Sequence, residues 1–148
     1  MPRLARAALL CVAWWIASIA WAAPPAGEPT LPAQDWQVIR SVVEAQLAAL
    51  RSGDGAKAIS YAAPGIRAQF RTPDNFLRMV RNGYPALLTA RYTQFLDGAV
   101  TAGGVIQPLR LVLPDETVLV ALYTMQRLPG GDWRIAGCVL APSTVQST

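Results

Sequence analysis

The chain contains no histidine among its 148 residues, and this absence removes several kinds of active site at once. Histidine is the commonest general base near neutral pH and the commonest metal ligand in proteins. With two cysteines in the whole sequence, a zinc site built from Cys and His ligands is excluded as well. We therefore expect no histidine-based hydrolytic triad, no bound metal and no other cofactor.

Cysteine and clustered positive charge are also scarce. Cys138 is the only cysteine after the first 22 residues, and its apolar strand predicts a buried small side chain rather than a reactive thiol. Without Arg3 and Arg6, 11 basic residues face 9 acidic ones, and the arginines are scattered singly. This distribution predicts no nucleic-acid partner. The glycine pairs lack the spacing of a nucleotide-binding loop.

The first 22 residues have the pattern of a secretory signal peptide. Arg3 and Arg6 precede an apolar run over residues 7–20, and Ala20-Trp21-Ala22 has the small-x-small form of a cleavage site. We predict cleavage near Ala22, a periplasmic or secreted protein, and no stable membrane span after cleavage. The alternative is that the segment is retained as a membrane anchor.

The remainder predicts one domain with short flanking segments. Residues 23–34 are rich in Pro and Ala and predict a flexible leader. Residues 35–141 carry all the periodic apolar patterns and suit a single α+β domain. Residues 142–148 predict a flexible C-terminal tail.

Three helices are predicted in the first half of this domain. The first spans residues 36–51 with Asp35 as its N-cap, and it presents one apolar stripe: Trp36, Ile39, Val42, Val43, Leu47 and Leu50. Asp54 caps a second helix that ends near residue 62, and Pro64 interrupts the chain before at most two further turns. Thr72 and Pro73 begin the third helix, over residues 74–82.

The second half predicts a four-stranded antiparallel sheet on which the three helices pack. Its apolar runs cover residues 90–100, 105–113, 117–128 and 132–141 and are separated by Gly- and Pro-containing turns. Pro108 predicts an edge position or a bulge. Both faces of the third run are apolar, so the face opposite the helices needs a cover. A curling sheet, a ligand or another subunit would supply it, and we expect self-association.

Several short motifs resemble one known family. They are Gln46 with Ala49, Gly53-Asp54, Ala63-Pro64, Asn75-Phe76, Met79-Val80, Tyr84-Pro85 and Trp133-Arg134-Ile135-Ala136-Gly137. In these residues the chain resembles an uncharacterised group of exported bacterial proteins of unknown function, with the cone-shaped fold of nuclear transport factor two and the ketosteroid isomerases. The resemblance implies three helices on a curved sheet and an exported protein, and it implies no activity.

Aromatic and polar residues of the helix-sheet junction are the candidates for a ligand site. An apolar pocket with a few polar groups is the usual form of a small-molecule site. We assign ligand binding to Tyr84, Arg91, Tyr123 and Gln126. Further candidates for the same cavity are Tyr61, Phe76, Tyr92, Arg110 and Trp133.

Two functions remain open from the sequence. The first is a non-catalytic module that binds a small apolar or amphipathic ligand, or a protein partner. The alternative is an isomerase-like or lyase-like enzyme in which Asp97 acts as base and Tyr123 or Tyr84 polarises the substrate oxygen. Asp97-Gly98 is equally typical of an ordinary turn, and we assign no catalytic residue.

Overall fold

The computed structural model describes residues 30–143 and shows five helices followed by an antiparallel sheet. The predicted signal peptide (residues 1–22), most of the predicted leader and residues 144–148 lie outside the described part. The helices are α1 (Ala33–Arg51), α2 (Gly55–Ser60), α3 (Pro64–Phe70), α4 (Pro73–Gly83) and α5 (Pro85–Thr89). The α+β class is confirmed, and the three predicted helices correspond to α1, α2 and α4. The count of three was too low, because the turns predicted after Pro64 form α3 and the link after Tyr84 forms α5.

The sheet has five strands in the described chain instead of the predicted four. They are β1 (Tyr92–Phe95), β2 (Ala99–Thr101), β3 (Gly104–Val112), β4 (Val118–Arg127) and β5 (Trp133–Pro142). The order across the sheet is β1-β3-β4-β5, and β2 pairs with the other end of β3. The predicted first run is thus two short strands on the same neighbour, and the sheet is open.

Pro108 explains why the first run is divided. Its carbonyl accepts a hydrogen bond from Leu96 N, but a proline has no N–H to return to the Leu96 carbonyl. The side chain of Gln107 replaces it, because Nε2 donates to Leu96 O at 2.8 Å and to Pro108 O at 2.9 Å. β3 has neighbours on both sides, so the predicted edge position at Pro108 was wrong. The irregularity is an interruption in the neighbouring strand, repaired by a fully buried amide.

α1 lies on the inner face of the sheet, as its apolar stripe predicts. Ile39 and Val43 are 0% exposed, and they pack in one cluster with Leu109 and Leu111 of β3 and Ala121 of β4. This cluster is the main core. Its burial supplies the stability that a helix of this length lacks on its own in water.

Local sequence sets the starts of α2 and α4 but not the start of α1. Asp54 accepts a hydrogen bond from Lys57 N, and Thr72 accepts one from Asn75 N, so both predicted caps are confirmed. α1 instead begins two residues before Asp35, after Pro32. Asp35 accepts from Trp133 Nε1 at 3.3 Å and faces Arg127 at 3.6 Å.

A second apolar cluster lies among the helices. Ala58 of α2, Phe76, Leu77 and Val80 of α4, and Leu50 near the end of α1 form its buried part. α3 contributes no fully buried residue to it, although Ile66 and Phe70 pack against it half-buried. The helical layer is therefore tight around α2 and α4 and looser beneath α3.

The outer face of the sheet is largely apolar, as β4 predicts, although Arg110 also lies on it. Leu122 and Val139 are paired across β4 and β5 on this face, and Val139 is 62% exposed. Tyr92 on β1 is 54% exposed beside Val112. In the described part of this chain no element covers that face.

Candidate functional site

A cavity of about 250 Å³ lies between the helical layer and the sheet, beneath α3 and α4. α1 contributes Gln46 and Leu50 to its wall, and the inner face of β4 and β5 contributes Tyr123 and Ile135. The side formed by α3 is the more open one, since Gln69 there is exposed. The cavity occupies the place where α3 packs loosely.

Local sequence signals set the helical wall. The Thr72 cap and Pro73 start α4, which then turns Phe76 and Val80 toward the cavity. The Phe76 ring meets Phe70 of α3 edge-on, with centroids 5.8 Å apart. Ile66 and Met79 complete the apolar wall on this side.

The floor is shaped by a bulge in β5. Thr124 pairs with Gly137 and the next residue, Met125, pairs with Ile135, so Ala136 is an extra residue without a partner in β4. Ala136 and Gly137 both line the cavity. On the far side, Ile135 N donates to Tyr61 O and Ile135 O accepts from Ala63 N, which fixes the bulged strand to the segment before α3.

Three polar side chains stand in one row across the inner face of the sheet. Gln107 of β3 is opposite Tyr123 of β4, and Tyr123 is opposite Cys138 of β5. Directly opposite residues have their side chains on the same face and close together. Tyr123 and Cys138 line the cavity, whereas Gln107 is occupied by its bonds to the backbone.

The polar groups of the cavity differ in whether they have partners. Tyr84 donates its hydroxyl to Cys138 O at 2.9 Å, and Gln46 Nε2 donates to Ala58 O at 3.2 Å. The Tyr123 hydroxyl is the only buried side-chain nitrogen or oxygen of residues 30–143 without a hydrogen-bond partner. The Cys138 side chain interacts with it and shifts its pKa, but sulfur is a weak acceptor and no hydrogen bond of normal geometry joins the two groups.

Both groups at the floor are uncharged near neutral pH. Burial raises the pKa of the Tyr123 hydroxyl well above its usual value, and the neighbouring Cys138 raises it further. Burial also raises the pKa of the Cys138 thiol to about 12, although its contact with Tyr123 acts in the opposite direction. The predicted inert thiol agrees with this pKa, because the thiolate is the reactive form.

The four residues assigned to ligand binding do not come together. Tyr84 and Tyr123 line the cavity, and Arg91 and Gln126 do not. Arg91 lies just before the start of β1 and pairs with Glu116, where both side chains are more than half exposed. Gln126 is exposed and opposite Arg134 in β5.

The other aromatic candidates separate in the same way. Phe76 lines the cavity, but Tyr61, Tyr92 and Trp133 are absent from its wall. Trp133 is 4% exposed and belongs to the main core. Arg110 is opposite Val120, on the outer face of the sheet.

The proposed base of the enzymatic alternative lies elsewhere. Asp97 is exposed and outside the cavity wall, next to a close approach of two elements. The Trp36 ring of α1 rests on Gly98, where an added Cβ would come within 2.2 Å of the ring. The dipeptide therefore belongs to the packing of α1 on the sheet, which requires glycine at this position.

Several cavity residues were not among the predicted candidates. Gln46, Ile66, Gln69, Phe70, Met79 and Cys138 all line it. Ile66 and Phe70 show helical spacing in α3, as Met79 does with Phe76 in α4, which marks an inward face but does not distinguish a packed wall from a cavity wall. The proximity of Cys138 to Tyr123 depends on strand register, which the sequence alone does not reveal.

Residues 30–143 offer neither a cluster of metal ligands nor a membrane-spanning helix. In this part of the chain, no three side chains of His, Cys, Asp or Glu cluster closely enough to bind a metal ion. None of the helices described there has the length and apolar character needed to cross a bilayer.

Comparison with known proteins identifies the family. A family model described as "Domain of unknown function (DUF4864)" matches residues 32–148. The match covers most of the chain, and the protein therefore belongs to this family. No curated protein and no solved structure gives a significant match. The likeness to the cone-shaped fold and the exported location stay predictions.

Proposed function

We propose that this member of the DUF4864 family is a non-catalytic binding protein that holds a small, mainly apolar molecule beneath α3. The observation that carries the proposal is the cavity of about 250 Å³ between helices and sheet. Its wall is largely Ile, Leu, Phe, Met and Val side chains, with a few polar groups from tyrosine and glutamine. This mixture is typical of small-molecule sites.

The volume sets the size of the occupant. An apolar cavity of about 150 Å³ accommodates benzene, with its six non-hydrogen atoms. In proportion, the volume of about 250 Å³ suits roughly ten non-hydrogen atoms. The ligand is thus smaller than a sterol or a long-chain lipid, unless α3 moves outward.

Binding is supported better than catalysis. Moving a proton between carbon atoms requires a positioned base within hydrogen-bond reach. Within residues 30–143, none of the side chains that line the cavity is Asp, Glu, Lys or Arg, and the sequence contains no histidine. Asp97 is outside the cavity, so the isomerase-like alternative has no base near Tyr123 or Tyr84.

We also propose that the protein is exported from the cytoplasm. Arg3, Arg6, the apolar run and the Ala20-Trp21-Ala22 site support export with cleavage near Ala22. Intact-mass measurement of the protein recovered from the periplasm tests this, and we expect a chain that begins at Ala23. A mass that includes residues 1–22 would support the retained anchor instead.

Self-association through the outer face of the sheet stays a prediction. Tyr92 and Val139 are exposed there beside other apolar residues, and such patches commonly mark interfaces. Light scattering at micromolar concentration would show a dimer. A monomer at that concentration, with unchanged mass after Val139→Ser, would contradict it.

Ligand binding is tested with primary alcohols of six to fourteen carbons. We expect a saturable rise in Tm that is largest near nine carbons, together with NMR shift changes at α3, α4 and β5. Ala136→Leu should abolish both effects because it fills the floor of the cavity. Ala141→Leu is the matched control, since Ala141 lies on the same strand but outside the cavity. Absence of saturable binding at every chain length would overturn the proposal.

A further inference from the structure

The Tyr123 hydroxyl is the most unusual polar group of the described chain. Tyr123 is 1% exposed, lines the cavity, and has no hydrogen-bond partner for its oxygen. Most buried polar groups are paired, and leaving one unpaired costs about 1–3 kcal/mol. Tyr123 borders the cavity, so an acceptor for this hydroxyl can come from a molecule that enters the cavity.

The neighbouring polar groups do not serve as that acceptor. Gln107, next to Tyr123 in the row, is bonded to Leu96 O and Pro108 O on the other side. The carbonyl of Cys138 already accepts from Tyr84. The Cys138 thiol is protonated at neutral pH, and although its sulfur interacts with the Tyr123 hydroxyl, sulfur is only a weak acceptor and no bond of normal geometry joins them.

The charge of the wall restricts the ligand further. A buried carboxylate or ammonium group needs an opposite charge and hydrogen bonds, or its desolvation exceeds what binding returns. Of the described residues, no charged side chain lines the cavity. Arg51, the nearest cation that influences Tyr123, lies outside the wall and donates its Nε to Leu87 O at 3.1 Å.

Apolar side chains also form the side of the cavity across from Tyr123. Ile66, Phe70 and Met79 are half-buried on the open side formed by α3 and α4, whereas Tyr123 is buried on the sheet. An amphipathic ligand therefore meets its hydrogen-bond donor at the inner end. Its hydrocarbon part is left against the helices.

We infer that the ligand is an uncharged carbonyl compound, bound with its oxygen inward as acceptor for the Tyr123 hydroxyl and its hydrocarbon chain against α3 and α4. The inference rests on the proposed function and names the chemical class of the ligand. It requires no bond to be made or broken. Tyr123 acts as a hydrogen-bond donor to a ketone, aldehyde or ester oxygen.

Four probes of equal chain length separate this class from its alternatives: octane, 2-octanone, octanoate and octylamine, at neutral pH. 2-Octanone has nine non-hydrogen atoms, which suits the cavity. We expect it to bind about threefold to tenfold more tightly than octane, the gain of one neutral hydrogen bond. Octanoate and octylamine should bind more weakly than either. Dissociation constants come from NMR titration of the full chain.

Tyr123→Phe identifies the donor. This variant should bind 2-octanone about threefold to tenfold more weakly and octane as well as before. Tyr92→Phe is the matched control, because Tyr92 is exposed on the outer face and outside the cavity. With 2-octanone labelled at the carbonyl carbon, its ¹³C resonance should move downfield on binding to the original protein and to Tyr92→Phe, but not to Tyr123→Phe.

The outcomes distinguish the two proposals. Equal affinity for octane and 2-octanone, or tightest binding of octanoate, would overturn the inference while the binding function stands. An unchanged ¹³C shift in the original protein would do the same even if Tyr123→Phe failed to fold. Binding of none of the four probes would overturn the proposed function as well.

Discussion

The helices pack against the sheet tightly at one end of the domain and loosely at the other. Under α1, Ile39 and Val43 are completely buried against Leu109 and Leu111. Under α3, Ile66 is only half-buried and borders the cavity. Both ends use aliphatic side chains from helices over the same sheet, so the difference comes from how closely each helix is held. α1 has 19 residues. α3 has seven, and none of those seven is fully buried.

The polar groups show the same difference at closer range. Gln107 and Tyr123 are opposite each other on neighbouring strands, and both are almost completely buried. Gln107 has acceptors for its amide and repairs the ladder beside Pro108. Tyr123 has none for its hydroxyl. One row of the sheet thus passes from a closed core to a group that lacks an acceptor, and this contrast supports the proposed binding site beneath α3.

The comparison is tested most strongly by shortening one isoleucine at each end. Ile39→Ala should lower the free energy of unfolding by about 2–5 kcal/mol, because it opens a void in a closed core. Ile66→Ala removes the same atoms beside an existing cavity and should cost below about 1 kcal/mol. Urea denaturation measures both. Equal losses would mean that the two ends are packed alike.

Gln107→Leu tests whether the closed end depends on its amide. The Leu96 carbonyl would lose its only replacement for the missing proline N–H, and we expect a loss of about 1–3 kcal/mol in unfolding free energy. Gln94→Leu is the matched control, because Gln94 is exposed on β1. Its effect should stay within about 0.5 kcal/mol. A neutral Gln107→Leu variant would show that the interruption beside Pro108 needs no repair.

Alkaline pH tests the burial of Cys138, which lies at the end of the polar row away from Gln107. The pKa of Cys138 is about 12 in the folded chain against 9.0 for a free thiol, so the folded state binds more protons between these values. The unfolding free energy should be unaffected by this thiol below pH 9. It should fall between pH 9 and 12, by up to about 1.4 kcal/mol per pH unit. The raised pKa of Tyr123 acts with the same sign above pH 10.

Cys138→Ala isolates the thiol in this experiment. The fall in urea midpoint from pH 9 to 11 should be shallower in the variant than in the original protein. The same slope in both would show that the thiol is not buried in the folded state.

The sequence was most informative where structure is set within a few residues. Asp54 and Thr72 act as caps because the backbone N–H groups that donate to them lie three positions ahead in the chain. Asp35 has the same side-chain chemistry, but its carboxylate accepts a hydrogen bond from Trp133, which lies 98 residues away in the chain. The apolar stripe of α1 was predictable for a related reason, since periodicity is a property of the helix itself.

The site was predictable only in part, because strand register and loose packing are properties of the whole fold. Tyr84 and Tyr123 were found by residue type, and their surroundings were not. Gln126 is three positions after Tyr123, so simple alternation already directs it to the opposite face. The neighbourhood of Tyr123 and Cys138 follows from the β4–β5 register, and the bulge at Ala136 shifts that register by one residue.

The smallest effect is the sharpest test of the contrast within the row. Tyr123→Phe removes an unpaired buried hydroxyl, so without ligand its unfolding free energy should be unchanged or higher by up to about 1 kcal/mol. Tyr84→Phe removes the same atom from a hydroxyl that donates to Cys138 O and should lower it by about 1 kcal/mol. If Tyr123→Phe lost as much stability as Tyr84→Phe, the hydroxyl would have a partner within the protein, and no acceptor would be missing beneath α3.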